Sequence, residues 1–413
     1  MSNLTIRITT NPFKILAYIV YMLSIYAYFT ITSIPLITYL LIGGVLLYAL
    51  TSNTLNKCVG NWYFLYICLL IVYVFFVGSF KVNLKGSTMM RSVIFQMIPC
   101  LMFFVFAMTE KWGLDRSFVW IALSVLVLCV IILSDEALLE TLKETDEEGS
   151  YYTFEENNRN TIAVILALGV LYMLHLGVTR NKVFLLLMLV PLILGLITGS
   201  RKLILAVAAG LLLYAFLYSV CCQKKSSKKW FSIILAVAVV VGVFYACYTV
   251  DWLYNIIGFR IEGLIETLTG GKNTEASAVE RSRMIELAWK MFLQKPFLGW
   301  GIDGFAANTE YGVYSHNNYM EMLVSFGAIG FLFVYFFKFR LLWQHIRMLR
   351  NDQFDAQSDK ARTVFLTVLI MVCLILDFAM ISITDICTNV TFAFAAANRY
   401  FYITKLQAGG QSQ

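Results

Sequence analysis

Twelve stretches of about 20 mostly apolar residues limit what this chain can become. They cover 13–30, 33–50, 62–80, 91–109, 117–134, 160–178, 183–199, 202–221, 230–250, 318–337, 363–382 and 385–402. A helix of that length crosses the hydrocarbon of a bilayer. In lipid only helices and closed barrels satisfy every backbone N–H and C=O, and the runs lack the alternating pattern of barrel strands. Hydrophobic residues make up 60% of the chain and charged residues 14%, with a mean hydropathy of +0.74. Soluble chains run near 45–50% apolar and about 25% charged. A water-soluble enzyme, a disordered protein and a secreted disulfide scaffold are thereby excluded. The expected fold is all-α: a polytopic integral membrane protein of about twelve transmembrane helices, with 1–413 as one transmembrane domain. The five prolines leave the runs largely uninterrupted, and Pro191 is expected to kink the 183–199 helix. Most of the nine cysteines sit inside apolar runs, which reads as small core residues and not as metal or redox groups. The first run has no small-residue cleavage signal and reads as a retained helix.

Orientation follows lysine and arginine. With the N-terminus and C-terminus cytoplasmic, 19 of the 32 basic residues fall inside, among them the cluster at 224–229 and Lys338. Two long extracytoplasmic segments result. Residues 134–159 form an acidic loop, expected to be solvated and partly disordered. Residues 251–317 form one large loop, the only stretch outside the bilayer long enough to fold. Within it, Ser277-Ala278-Val279-Glu280 has the capping-box pattern. Met284, Leu287, Ala288, Met291 and Phe292 follow at helical spacing, which predicts an amphipathic helix lying on the membrane or the bundle. Pro296 stops it, and the glycines at 299, 301 and 304 permit a tight loop and a close backbone approach.

Cations on the outer side carry the functional signal. Arg201 and Lys202 follow Gly199 and Ser200 in a very short turn, where Ser200 is placed to cap the next helix. Charges at membrane depth are costly and are often functional, and an arginine beside a helix start makes an anion site. Arg159 stands in a similar place at the start of the 160–178 run. Arg281 and Arg283 lie in the first turn of the loop helix. Of the three histidines, His345 falls in a basic cytoplasmic segment and reads as solvated, and His175 reads as packed. His316 precedes a helix start, with Asn317 and Asn318 as caps and Glu321 one turn on. The positive end of a helix disfavours the imidazolium, leaving a neutral base near pH 7.

The ordered set Gly199-Ser200-Arg201, Arg281 through Lys295-Pro296-Phe297-Leu298-Gly299-Trp300-Gly301, Ser315-His316-Asn317-Asn318-Tyr319-Met320 and Phe326-Gly327-Ala328-Ile329-Gly330 resembles the O-antigen ligase/polymerase family of bacterial membrane glycosyltransferases. The resemblance covers about 160–340; the first five runs add nothing specific. It implies a GT-C-like fold and a polyprenyl-diphosphate-linked oligosaccharide as donor. It also implies a reaction on the extracytoplasmic face of the bacterial cytoplasmic membrane, without metal or other cofactor. His316 matches the family's essential histidine, and Arg201 and Arg281 its arginines. Arg159 corresponds less closely, and Arg283 replaces Arg281 if the alignment slips by two.

In the chemistry these residues support, His316 is the base for the acceptor hydroxyl. Arg201, Arg281, Arg159, Arg283 and Lys202 are the candidate diphosphate ligands, because guanidinium grips phosphate bidentately. Trp300, Tyr311 and Tyr314 are candidate sugar contacts, and Asn317 and Glu321 candidate supports. Direct displacement inverts the anomeric centre. The expected activity is a polymerase joining repeat units into capsular or O-antigen-type polysaccharide. A ligase moving finished polymer to lipid or protein is the alternative, and a lipid-linked sugar flippase or transporter the lesser one. A transporter predicts charge pairs deep in the bundle and an internal repeat, and the sequence suggests neither. The expected partners are the lipid-linked donor and acceptor, the bilayer, a flippase and a chain-length regulator, with no nucleic acid.

Overall fold

A computed structural model describes residues 12–30, 35–52, 54–81, 84–109, 113–143, 159–259, 261–262, 276–354 and 356–410. The apolar runs lie in helices Pro12–Phe29, Pro35–Thr51, Trp62–Lys81, Leu84–Thr109, Gly113–Ser134, Arg159–Thr179, Val183–Leu187 with Leu189–Ile197, Arg201–Cys222, Ser226–Thr249, Asn318–Asn351, Gln357–Leu376 and Ile386–Gly410. No strand occurs among the described residues. Six of these helices are long and apolar enough to cross a membrane, and four apolar stretches are shorter. The chain is an all-helical, multi-pass membrane protein.

Burial sorts the helices. Arg159–Thr179 is buried at every position from Ile162 to Gly177, as a helix apolar all round must be at the centre of a bundle. It packs on Gly113–Ser134, Leu189–Ile197 and Arg201–Cys222. Ser226–Thr249 buries only Ala236 and Cys247 among its residues, so its apolar sides lie on the outside of the bundle, as suits a helix in lipid. The 183–197 stretch breaks at Met188, one turn before Pro191. A proline clashes with the carbonyl four residues earlier, here Leu187, which places the break. All nine cysteines are free, and six are buried. His175 is buried and its Nδ1 lies 3.0 Å from the Tyr214 hydroxyl.

Several expectations need correction. His345 is not solvated: it is fully buried, with Nδ1 3.0 Å from Leu341 O. The acidic 134–159 segment begins as a helix, Glu136–Lys143; residues 144–158 lie outside the described residues. The 363–382 run stays helical only to Leu376. Residues 377–385 turn back before the last helix, which Asp385 caps by accepting Thr388 N–H at 2.9 Å.

The largest correction concerns 318–337, read as one span. Gly327 has φ 63° and ψ −170°, and the chain reverses there. Asn318 Nδ2 donates to the Tyr335 hydroxyl at 2.7 Å, and the Tyr319 ring stacks on Tyr335 at 4.6 Å. A straight helix would hold positions 318 and 335 about 25 Å apart. The 318–326 half therefore lies back along the helix that follows. Such a reversal frees backbone groups, and the loop motif takes them. Trp300 and Gly301 N–H donate to Val324 and Ser325 O at 2.7 and 3.0 Å, and Ala328 and Ile329 N–H donate to Pro296 and Phe297 O at 2.7 and 3.3 Å. Gly299 (φ 64°) crosses so closely that a Cβ there would meet Gly327 N at 2.7 Å. The two glycine motifs are thus halves of one joint. Gly327→Val is expected to destabilise the protein by at least about 1–3 kcal/mol from backbone strain alone, read as a lower melting temperature in detergent. An unchanged melt would contradict the joint.

Candidate functional site

Two helix starts stand side by side at one end of the bundle. Arg159 opens Arg159–Thr179 and Arg201 opens Arg201–Cys222. Gly199 (φ 61°) makes the turn before the second. Ser200 occupies the N-cap position, but its hydroxyl does not cap the helix. It donates instead to Asn160 Oδ1 at 2.9 Å, tying the two starts together. Arg159 and Arg201 are half-buried. Lys202, one residue further, is buried.

The loop helix runs Ala276–Gln294. The Ser277 side chain of the expected capping box lies outside the described residues, and Glu280 pairs with Arg283 at 3.7 Å. Met284, Ala288 and Met291 bury against Phe305 and Val324, which seats the helix on the bundle. Trp289, Leu293, Phe297 and Leu298 remain exposed, an apolar edge suited to the bilayer interface. Arg281 stands one turn before Met284 and is half-buried, whereas Arg283 points outward, with its side chain 68% exposed. Trp300 donates its indole N–H to Met291 O at 2.8 Å, and Lys295 Nζ sits 3.5 Å over its ring; it closes the helix end. Tyr311 stacks on Phe305 at 6.2 Å, on the Glu280–Arg283 side.

His316 is held from three directions. Its own backbone has φ 55°, a conformation that costs a non-glycine residue energy and persists only when its surroundings impose it. Before it, Ser315 donates both N–H and hydroxyl to Glu321 Oε2, at 3.0 and 2.9 Å. The Ser325 hydroxyl donates to the other oxygen at 3.1 Å, so the fully buried Glu321 is a clamp on the loop. After it, Asn317 caps the helix by accepting Met320 N–H at 3.1 Å. Asn318 is no cap: its N–H donates to Asp377 O at 2.8 Å and its side-chain oxygen accepts Ser382 N–H at 3.2 Å.

The imidazole lies against Tyr314, with ring centroids 4.5 Å apart. Its Nε2 is buried and has no hydrogen-bond partner among the described residues. Burial first, then the positive charges of Arg281 and Lys202, push its pKa down to about 3. The ring is therefore neutral at physiological pH, because of burial and the neighbouring cations. Burial also raises the Tyr314 hydroxyl, against the pull of Arg281. Lys202 lies within electrostatic reach of both Arg281 and Asp385.

The structure thus brings together His316, Arg281, Lys202 and Tyr314, with Arg201 and Arg159 on the helix starts beside Lys202. It sets Arg283, Tyr311 and Trp300 to other contacts. Sequence reasoning missed Asp385 as a neighbour of Lys202; its only signal was an acid three residues before Thr388 at a helix start. Among the described residues no three His, Cys, Asp or Glu side chains gather as a metal site requires. What the arrangement offers is a neutral imidazole within electrostatic reach of Arg281 and Lys202, with helix starts that favour anions.

No curated protein matches this chain. Residues 183–335, which include Arg201, Lys202, Arg281 and His316, are similar to the family model described as O-antigen ligase.

Proposed function

We propose that the protein is a membrane glycosyltransferase that joins polyprenyl-diphosphate-linked oligosaccharide units into a longer polysaccharide. The observation that carries this reading is the buried Nε2 of His316, which has no partner among the described residues and lies within electrostatic reach of Arg281 and Lys202. His316 takes the proton from the acceptor hydroxyl as that oxygen attacks the anomeric carbon. The bond from that carbon to the diphosphate oxygen breaks, and the diphosphate leaves with the electron pair. Arg281, Lys202 and Arg201, with Arg159 on the neighbouring helix start, take up the charge that grows on the leaving group. One-step attack from the opposite face inverts the anomeric centre. The site then faces the extracytoplasmic side, and the apolar edge of the 276–294 helix rests on the membrane surface. The description of the matching family favours a second reading, transfer of finished polymer to a separate acceptor by the same chemistry.

The test is purified protein in detergent with a lipid-diphosphate oligosaccharide. A ladder of lengths supports the polymerase, a single transfer the ligase, and no transfer rejects both.

The pH profile gives a further expectation. A general base must be unprotonated, so protonation of His316 sets the acid limb. In the free enzyme that limb follows a pKa of about 3 and governs kcat/KM. A bound diphosphate offsets the neighbouring cations and raises the imidazole pKa. The acid limb of kcat is therefore expected at higher pH than that of kcat/KM. Coincident limbs would contradict the arrangement.

A further inference from the structure

A charge pair lies inside the bundle, where the sequence suggested none. Lys338 Nζ donates to Asp377 Oδ2 at 2.8 Å, with the two side chains 6% and 0% exposed. Charge counting places Lys338 among the cytoplasmic cations, but its ammonium is drawn to an acid at the far end of the Gln357–Leu376 helix. A buried pair of this kind is seldom more stable than apolar residues of the same size, so its value is sought in geometry.

The pair has a defined set of neighbours. Lys338 also donates to the Ser382 hydroxyl at 3.0 Å, and the Tyr335 hydroxyl donates to the same Asp377 Oδ2 at 3.0 Å. Asn318 Nδ2 donates to that Tyr335 hydroxyl at 2.7 Å. The turn that Asp377 opens receives three further bonds from the His316 loop and its helix start. Asn318 N–H reaches Asp377 O at 2.8 Å, Asn317 Nδ2 reaches Phe378 O at 3.3 Å, and Asn318 Oδ1 accepts Ser382 N–H at 3.2 Å. The pair thus fixes the 377–382 turn to the helix after Gly327, and the turn is the seat of the residues that follow His316. Glu321 holds the other side of the same loop.

We propose that Lys338, Asp377 and Tyr335 are positioning residues that set the direction of the His316 ring through Asn317 and Asn318. The proposal rests on His316 as base for its effect on rate, but not for its effect on the ring. A buried polar network fixes one arrangement where apolar packing tolerates several; here every bond to the carboxylate falls on Asp377 Oδ2, and Oδ1 has no partner among the described residues. Charge at this depth is retained because a small misplacement of a base costs rate steeply.

Three histidines in the chain make the test direct. Protein labelled with 15N-histidine is examined in detergent, and loss of a signal in His316→Asn assigns the His316 ring. Tyr335→Phe removes one hydroxyl and keeps the packing. Lys338→Met with Asp377→Asn removes both charges together, avoiding a lone buried ion. Both proteins are expected to keep their melting temperature within a few degrees, to shift the His316 ring signal, and to lower kcat on a lipid-diphosphate oligosaccharide by roughly 10²-fold or less at unchanged KM. An unmoved ring signal in both would overturn the proposal, whatever happened to the rate. Full activity in His316→Asn would overturn the catalytic reading alone, because the ring signal is read without substrate.

Discussion

His316→Ala is expected to stop polysaccharide growth, with the rate falling about 10²–10⁴-fold, the usual contribution of a positioned acid or base. The substitution removes no hydrogen bond to Nε2, which has no partner among the described residues, so the protein is expected to remain folded in the membrane. The φ of 55° at this position strains alanine, and His316→Asn is the better control because asparagine tolerates left-handed backbone. Both variants should be inactive and equally soluble in detergent. Full-length polymer from either would reject His316 as the base.

Arg281→Ala is expected to cost about 10²–10³-fold, the effect of losing one preorganised contact to developing charge. Arg281→Lys keeps the charge but loses the planar fork and should fall between. The same variant has a second signature with a definite sign. Arg281 is the largest charge effect holding the imidazole down, so its removal raises the His316 pKa. The acid limb of kcat/KM then moves to higher pH, while burial and Lys202 keep it below the ordinary histidine value. A rate loss without that movement would mean that Arg281 acts away from the histidine.

The contrast between what the sequence disclosed and what it hid is a matter of range. Apolar runs announce helices because each is judged within its own window. His316 and Arg281 were legible because polar groups beside a membrane edge are costly and therefore informative. Even the break at Met188 follows from Pro191 by local sterics. The reversal at Gly327 was not legible. A glycine in an apolar run costs a helix only about 1 kcal/mol, and what turns this one into a hinge is a set of bonds from Pro296–Gly301, about 30 positions earlier. Lys338 was misplaced for the same reason: charge counting gives each residue to the nearest loop, and its partner Asp377 comes from another helix. The Ser200 hydroxyl follows neither rule: it donates to Asn160 Oδ1 on a neighbouring helix and accepts no N–H from its own helix start.

A diphosphate bound among Arg281, Lys202 and the helix starts, next to a neutral His316, must change how that histidine titrates. This is tested most directly by titrating 15N-labelled His316 with and without a short polyprenyl diphosphate such as farnesyl diphosphate. The His316 midpoint is expected to rise from about 3 when the diphosphate binds, with a smaller rise in Arg281→Ala. A midpoint that stays in place at saturating diphosphate, or that rises equally without Arg281, would contradict it.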